Sequence, residues 1–301
     1  MPKNKFDNIF FALIVGILIF HTSASYSQLS DLARVDYTLL PATDDGFEYE
    51  AARVSLNYPV KIKSGTYLFV GAGYANIDLN FGKEPQPFNT NAIDGLQVFE
   101  LNIGYTFPLK KDWRFAARFA PGMSSNLSAD KLKADDLVLS GELVFIRDRT
   151  KSEDASKPSR LIFGISYSGN RGFPYPLPFL SYYRKFHPKW SYNLGVPKTN
   201  LQYHISEKHR LKLYAELDGF TSNIQNGIPL LNGDSAESIN MSLILMSLQY
   251  EFHFLDHFEF FCRASYILDK RVQLRDSEKE NILLLDNTRG TYFRTGLRFK
   301  I

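Results

Sequence analysis

Cysteine is almost absent from this chain, and no long apolar run follows Phe20. The single cysteine, Cys262, excludes a scaffold held together by intramolecular disulfides. Beyond Phe20, charged or polar residues interrupt every apolar stretch within a few positions. A membrane-spanning helix needs about 20 apolar residues, so a helical membrane protein is excluded. The net charge of only +3 over 301 residues gives no nucleic-acid-binding signature, and no nucleic-acid partner is expected.

The amino-terminal residues have the order of a secretory signal peptide. A short cationic region precedes an apolar run at residues 9–20, and a small polar stretch follows it. Ser25 and Ser27 supply the small side chains that cleavage requires, which makes Gln28 the expected first residue of the exported chain. The sequence therefore predicts a cleaved signal peptide at residues 1–27 and one domain at residues 28–301.

The exported part is rich in Tyr and Phe and alternates between apolar and polar residues. A soluble exported protein and a membrane β-barrel remain as classes, and this composition favours the barrel. A barrel strand must also alternate lipid-facing and lumen-facing side chains. Residues 97–107 do so, with Phe99, Leu101 and Ile103 on one face. The pattern is sharpest at residues 293–301. These segments predict an all-β fold: a transmembrane, antiparallel, up-and-down β-barrel in the outer membrane.

The connections predict the number and direction of the strands. Short turns are expected near residues 59–64, 108–112, 187–189, 206–210 and 253–257, on the periplasmic side. Longer polar stretches at residues 82–94, 122–135, 221–237 and 272–289 are expected to be extracellular loops. An outer hairpin at Pro197 then gives fourteen strands, with twelve as the alternative. The least regular strand, residues 33–40, has a segment inside the lumen as its alternative.

The chain resembles uncharacterised outer-membrane β-barrel families of Gram-negative bacteria. The resemblance lies in the aromatic-rich alternating strands, the Gln28 start and the stretch at residues 194–199. The carboxy-terminal strand is similar to the terminal strand that the barrel-insertion machinery reads, although Ile301 stands where Phe is usual. The resemblance implies partners in that machinery and in outer-membrane lipid and lipopolysaccharide. It carries over no site residues.

Charged side chains on the inward faces are predicted to line the lumen. The predicted lining residues are Glu100, Arg114, Arg118, Glu142, Lys212, Glu216, Arg263, Arg294 and Arg298. Further carboxylates at Glu48, Glu50, Glu251 and Glu259 are expected on the same faces. These groups either pair with one another, because unpaired interior charge is costly, or form a weakly anion-preferring channel. The two interpretations are compatible.

The sequence favours a passive, porin-like channel for small solutes, or a purely structural barrel. It predicts no enzyme, cofactor or metal site. One alternative is a barrel-embedded lipid or peptide hydrolase that uses His204, the histidine expected on the lumenal face. His253 and His257 have metal-ligand spacing but are expected to flank a turn, where a metal site is disfavoured. Another alternative is a protein that binds a ligand through its surface loops.

Overall fold

The structure, a computed structural model, describes residues 31–42, 46–82, 86–129, 131–150, 158–173, 175–231 and 233–300. The predicted signal peptide at residues 1–27, its predicted cleavage site before Gln28 and the terminal Ile301 lie outside these residues. None of the helices in the described part of the chain has the length and apolar character needed to cross a membrane.

Strands make up nearly all of the regular structure. They are β1 (Ala33–Leu40), β2 (Glu48–Lys63), β3 (Thr66–Asn80), β4 (Gly95–Lys110), β5 (Trp113–Ser125), β6 (Leu137–Asp148), β7 (Ser159–Ser168), β8 (Leu177–His187), β9 (Trp190–Val196), β10 (Lys198–His204), β11 (His209–Pro229), β12 (Ser235–His253), β13 (Phe258–Arg275), β14 (Asn281–Asp286) and β15 (Thr291–Phe299). Two 3-10 turns, Thr90–Ala92 and Ala134–Asp136, lie in the connections.

The strands form one closed antiparallel barrel of fourteen positions. Strands β1 to β13 each pair with the next strand in sequence, β15 pairs with β13, and β1 closes the barrel by pairing with β15, as in Ala33 opposite Phe299. Strands β14 and β15 share one position, because both pair with β13 at successive heights. The predicted strand number is therefore confirmed. The alternative for residues 33–40 is wrong, since β1 is hydrogen-bonded on both sides.

The two faces of the wall differ as the alternation predicts. Val35, Ile103 and Leu248 are among the many large apolar side chains exposed on the outside. Their sequence neighbours, such as Asp36 and Gln249, are buried inside. An apolar exterior around a polar interior is the arrangement of a membrane-spanning barrel.

The connections differ in length between the two ends. At one end, called the turn end, most connections are short, including those at residues 64–65, 111–112 and 188–189. The first and last described residues also lie there, since Leu32 donates a backbone hydrogen bond to Phe299. The predicted turn at residues 59–64 is too long. Pro59 lies within β2, beyond the last β1–β2 pair at Leu56, so the ladder loses no bond to β1 there.

At the other end, called the loop end, strands replace two of the predicted loops. Residues 221–237 and 272–289 are mostly strand, and the connections between the paired strands are only residues 230–234 and 276–280. Here the alternation is inverted, because Ile224, Ile239 and Leu274 are buried inside the barrel. A pattern that assigns apolar residues to lipid cannot detect such strands.

The tip of the β11–β12 hairpin forms a roof across the loop end, defined as residues 222–229 and 235–241. It reaches β5, six places away around the wall, where Asn223 pairs with Ser125. It also contacts the β7–β8 loop closely. A Cβ atom added at Gly172 would lie 2.0 Å from the Met241 carbonyl oxygen. The roof therefore joins opposite sides of the barrel.

An apolar core fills part of the barrel beneath the roof. It is formed by the loop-end halves of β1 to β4 on one side and β11 to β14 on the other, and includes Leu40, Tyr49, Ile77, Phe220 and Ile239. The interior is thus asymmetric. Apolar side chains fill its loop-end half beside these strands, whereas polar side chains predominate elsewhere.

Candidate functional site

A cavity of about 500 Å³ lies inside the barrel beside the apolar core. Its wall includes side chains from β1 to β5 on one side and from β7, the β7–β8 loop and β11 on the other. Arg171 and Tyr175, which are exposed at the loop end, also border it, so the cavity reaches the surface there. Six basic and four acidic residues border it: Arg34, Arg53, Arg118, Arg171, Lys198 and Arg294, with Asp36, Glu100, Glu216 and Asp218.

An arginine cluster forms one wall of this cavity, where β1, β2, β11 and β15 bring together Arg34, Arg53, Arg294, Asp36 and Asp218. Arg294 lies 2.8 Å from Asp218 and 3.5 Å from Asp36. Arg34 lies 2.8 Å from the other oxygen of Asp36. The hydroxyl of Tyr292 donates a hydrogen bond of 2.8 Å to Asp218. The guanidinium groups of Arg34 and Arg294 therefore share two carboxylates.

The third arginine, Arg53, is held differently. Its Nη2 atom donates a 2.9 Å hydrogen bond to the Tyr49 hydroxyl. Tyr49 is 1% exposed, and its ring stacks on Phe220 at 5.6 Å between centroids. No carboxylate of the described residues lies within 4.0 Å of this guanidinium.

A second group of ion pairs lies on strands β10 to β13, next to the arginine cluster. Glu216 accepts from Arg263 and lies 2.8 Å from Lys198. Arg263 also donates to Gln249 through Nε, at 2.8 Å. Both cations stand over the ring of Tyr214. This group connects the four neighbouring strands β10 to β13, and its one carboxylate, Glu216, is paired.

Nearer the turn end, a third group surrounds Glu251 and Glu259. Lys212 lies 2.6 Å from Glu251, and Arg298 lies 2.9 Å from Glu259. Lys300 also lies 2.9 Å from Glu259. Because both carboxylates are almost fully buried, their cationic partners are needed to offset the loss of hydration.

The structure places all nine predicted lining residues on the interior face. Arg118 lies between Glu100 and Glu142, at 3.2 and 3.3 Å. Arg114 donates to the backbone carbonyl of Gly65 near the turn end, away from the cavity. The remaining predicted residues belong to the groups just described. Whether they line a solute path stays a prediction.

Other features of the interior differ from the sequence-based expectation. Glu50 was expected inside, but it lies outside and accepts a 2.5 Å hydrogen bond from exposed Tyr37. Tyr49 faces inward instead. Because Glu48 and Glu50 stand on either side of Tyr49 in β2, the prediction that Glu48 faces inward is also wrong. Sequence reasoning also did not single out Arg53 or Asp218. Their inward position follows from the period-two pattern of β2 and β11, but their partners depend on the closure of the barrel.

A loop latch ties the roof to the β5–β6 connection. Asp136 is fully buried and accepts hydrogen bonds from Asn223 at 2.8 Å, Gln225 at 2.5 Å and the Lys133 backbone at 2.7 Å. Burial alone would raise the pKa of Asp136. The hydrogen bonds outweigh that effect and hold its pKa below the usual 3.8. The carboxylate therefore stays ionised while the roof is docked.

The histidines do not assemble a catalytic site in the described part of the chain. His204 faces the interior, with Nε2 2.9 Å from the Ser191 hydroxyl oxygen. Ser191 is fully buried, so a substrate has no access to that oxygen. His253 pairs with Glu259 at 2.7 Å. Among the described residues, no group of three His, Cys, Asp or Glu side chains is arranged to hold a metal ion.

Solved structures with similar folds include several outer-membrane proteins. The COG4313 outer membrane channel from Pseudomonas putida F1 is 8% identical, with a TM-score of 0.44 over 94% of this chain and 100% of that one. The KdgM porin in complex with disordered oligogalacturonate is 8% identical, with a TM-score of 0.37 over 89% and 99%. The Pseudomonas putida toluene transporter TodX is 11% identical, with a TM-score of 0.33 over 90% of each chain.

No curated protein matches the chain. A family match covers residues 66–300, which include every strand from β3 to β15. The family is described as a domain of unknown function, DUF6268. Since the match extends over most of the 301 residues, the chain belongs to the DUF6268 family.

Proposed function

We propose that this protein is an outer-membrane barrel that acts as a restricted, passive channel for small hydrophilic solutes. The observation that carries the proposal is the interior cavity, which is walled by charged side chains and reaches the surface at the loop end. A polar cavity inside a wall with an apolar exterior offers a solute the water-like surroundings that lipid lacks.

The exterior supports the placement in a membrane. Outward apolar side chains recur on the strands, and aromatic residues such as Tyr58 and Trp190 lie on the outside near the turn end. Amphipathic rings of this kind anchor a barrel at the depth of the lipid headgroups. Short turns belong to the periplasmic side of bacterial barrels, which places the turn end there and the roof outside the cell. Outer-membrane lipid and lipopolysaccharide then surround the wall.

The solute path is proposed to follow the β7–β10 side of the interior. Small polar side chains face inward there, among them Ser166, Ser168, Ser181, Asn193 and Asn200. The strands of the wall are also short here, because β9 and β10 have only seven residues each. The apolar core occupies the other side and leaves this one as the polar route.

The ion pairs are proposed to narrow this path. Arg118 with Glu100 and Lys198 with Glu216 border the cavity from facing walls. Barrels of sixteen or more strands hold wide aqueous channels, whereas narrower barrels are more easily filled by their own side chains. The unit conductance is therefore expected to be far below that of a sixteen-strand porin.

Planar-bilayer recording tests the proposal. The protein is refolded in detergent, and heat-modifiable migration on gels identifies the folded fraction. Discrete conductance steps are expected from the folded fraction and none from the heat-denatured fraction at equal concentration. Folded protein that gives neither conductance steps nor solute uptake into vesicles would refute the channel.

The second candidate is a purely structural barrel, and the apolar core favours it. Core residues from opposite walls meet beneath the roof, as where Tyr49 of β2 stacks on Phe220 of β11. If this core closes every route, the wild type will not conduct. Variants in which the packing of the core is loosened will then conduct. That result would distinguish a filled barrel from a failed reconstitution.

A further inference from the structure

Arg53 is the interior arginine of the cavity wall that has no carboxylate of the described residues within 4.0 Å. Arg34 and Arg294 pair with aspartates, and Arg118 pairs with glutamates. Asp36 stands directly opposite Arg53 in the β1–β2 register. Its carboxylate is nevertheless engaged by Arg34 and Arg294. The nearest carboxylate in the register is thus occupied.

The Arg53 side chain is fixed in place rather than free. Its hydrogen bond goes to Tyr49, which is buried and stacked in the apolar core. A guanidinium group has five N–H donors, and one of them is used in this contact. The group borders the cavity, where the remaining donors can meet a ligand. A preorganised planar fork is suited to binding a carboxylate or a phosphate through two parallel hydrogen bonds.

The rest of the cavity suits a hydroxylated molecule. Ser166 and Ser168 border it from β7, and Asn170 follows in the β7–β8 loop. Hydroxyl and amide groups both donate and accept hydrogen bonds, as the hydroxyl groups of a small sugar derivative require. The volume of about 500 Å³ lies within the usual range of small-molecule sites.

We infer that Arg53 forms the anion-binding subsite of this cavity, which takes a small hydroxylated organic anion with a carboxylate or phosphate group. The anion supplies the negative charge that Asp36 and Asp218 leave uncompensated in the arginine cluster. This inference adds a class of solute to the proposed channel function, and the role of the subsite in transport rests on that proposal. Binding itself does not require that the barrel conducts.

Isothermal titration calorimetry on the folded, detergent-solubilised full chain tests the subsite. The probes are gluconate, glucose 6-phosphate and inorganic phosphate, with neutral glucose as the comparison. Saturable binding is expected for the two sugar anions, with glucose at least tenfold weaker. Binding of inorganic phosphate equal to that of glucose 6-phosphate would overturn the assignment of the hydroxyl-binding side.

Variants separate Arg53 from general charge effects. Arg53→Gln is expected to weaken gluconate binding by about tenfold or more, because the charge-assisted hydrogen bonds are lost. Arg53→Lys is expected to recover part of the affinity, since the charge remains without the planar fork. Arg271→Gln is the matched control, because Arg271 is exposed and pairs with exposed Asp269 away from the cavity. It is expected to bind as the wild type does.

The outcomes distinguish the inference from the channel proposal. Conductance without saturable anion binding, or equal binding by wild type and Arg53→Gln, overturns the subsite and leaves the channel. Binding that depends on Arg53 in a barrel without conductance supports the subsite and refutes the channel.

Discussion

The buried ion pair between Lys270 and Asp286 gives the most quantitative prediction about the filled part of the barrel. The Lys270 ammonium lies 2.5 Å from an Asp286 oxygen, and both side chains are 0% exposed. Lys270 also donates to Thr288 at 3.2 Å and stands over the ring of Phe47. The pair thus joins β13, β14 and the β1–β2 connection within the apolar core.

Removing one partner of the pair should lower the free energy of unfolding far more than removing both. Asp286→Asn leaves the Lys270 charge buried without a counter-charge, which costs about 3–5 kcal/mol. Lys270→Met strands the Asp286 carboxylate and is expected to cost a similar amount. The double variant leaves no uncompensated charge, so it should lose less stability than either single variant does.

The assay is equilibrium unfolding by urea in lipid vesicles, followed by tryptophan fluorescence and gel migration, on wild type, both single variants and the double variant. A loss of less than about 1 kcal/mol in the single variants, or a loss in the double variant equal to the sum of the two, would contradict a buried pair whose charges compensate each other. Because the pair holds β14 in the core, Asp286→Asn is also expected to increase conductance. Arg271→Gln, at a solvent-exposed pair near the same end, is the control and should change neither quantity.

Three further predictions concern the roof and the interior pairs. The pKa of Asp136 is below 3.8 in the folded protein, so its latch stabilises the roof above pH 3.8 and is lost as the pH falls through that lowered pKa. The stability difference between wild type and Asp136→Asn, measured by urea unfolding, should therefore shrink on acidification. A difference that stays constant with pH would contradict the lowered pKa. Gly172→Ala should lower the free energy of unfolding by about 1–3 kcal/mol, because its Cβ atom would meet the Met241 carbonyl oxygen. Gly95→Ala, which has open space around its Cβ position, should lower it much less. Equal losses would contradict the close contact. Glu216→Gln leaves Arg263 without its carboxylate and should cost more stability than Glu207→Gln, an exposed turn residue; equal costs would contradict the ion pair.

The wall of the barrel could be predicted from the sequence because lipid and lumen impose a period of two on each strand. Segments such as residues 97–107 and 293–301 carry that period clearly, and short turns fix the parity. Fourteen positions follow from these local features. Closure through β1 and β15 agrees with them, although no local signal identifies which strand pairs across the seam.

The loop end could not be predicted in the same way. The strands leave the lipid there, the interior becomes apolar, and the pattern of β2 and β11 inverts, as the inward positions of Tyr49 and Ile224 show. Polar residues such as Ser222 and Asn223 therefore looked like loop, although they belong to the roof. The turn of β11 across the barrel depends on contacts with β5 and the β7–β8 loop, which are far apart in sequence.

Individual lining residues were predictable but their pairing was not. Alternation places Arg263, Arg294 and Arg298 inside. Which carboxylate each one meets depends on barrel shear and on strands that are distant in sequence. The absence of a carboxylate within 4.0 Å of Arg53 follows from the same cause, because Asp36 turns toward Arg34 and Arg294.

Single-channel recording in planar bilayers, on wild type and Asp286→Asn side by side, tests whether a solute path runs through this barrel. We expect small discrete steps for the wild type and larger or more frequent steps for the variant, whose core is loosened. No conductance from either folded protein would contradict a solute path through this barrel.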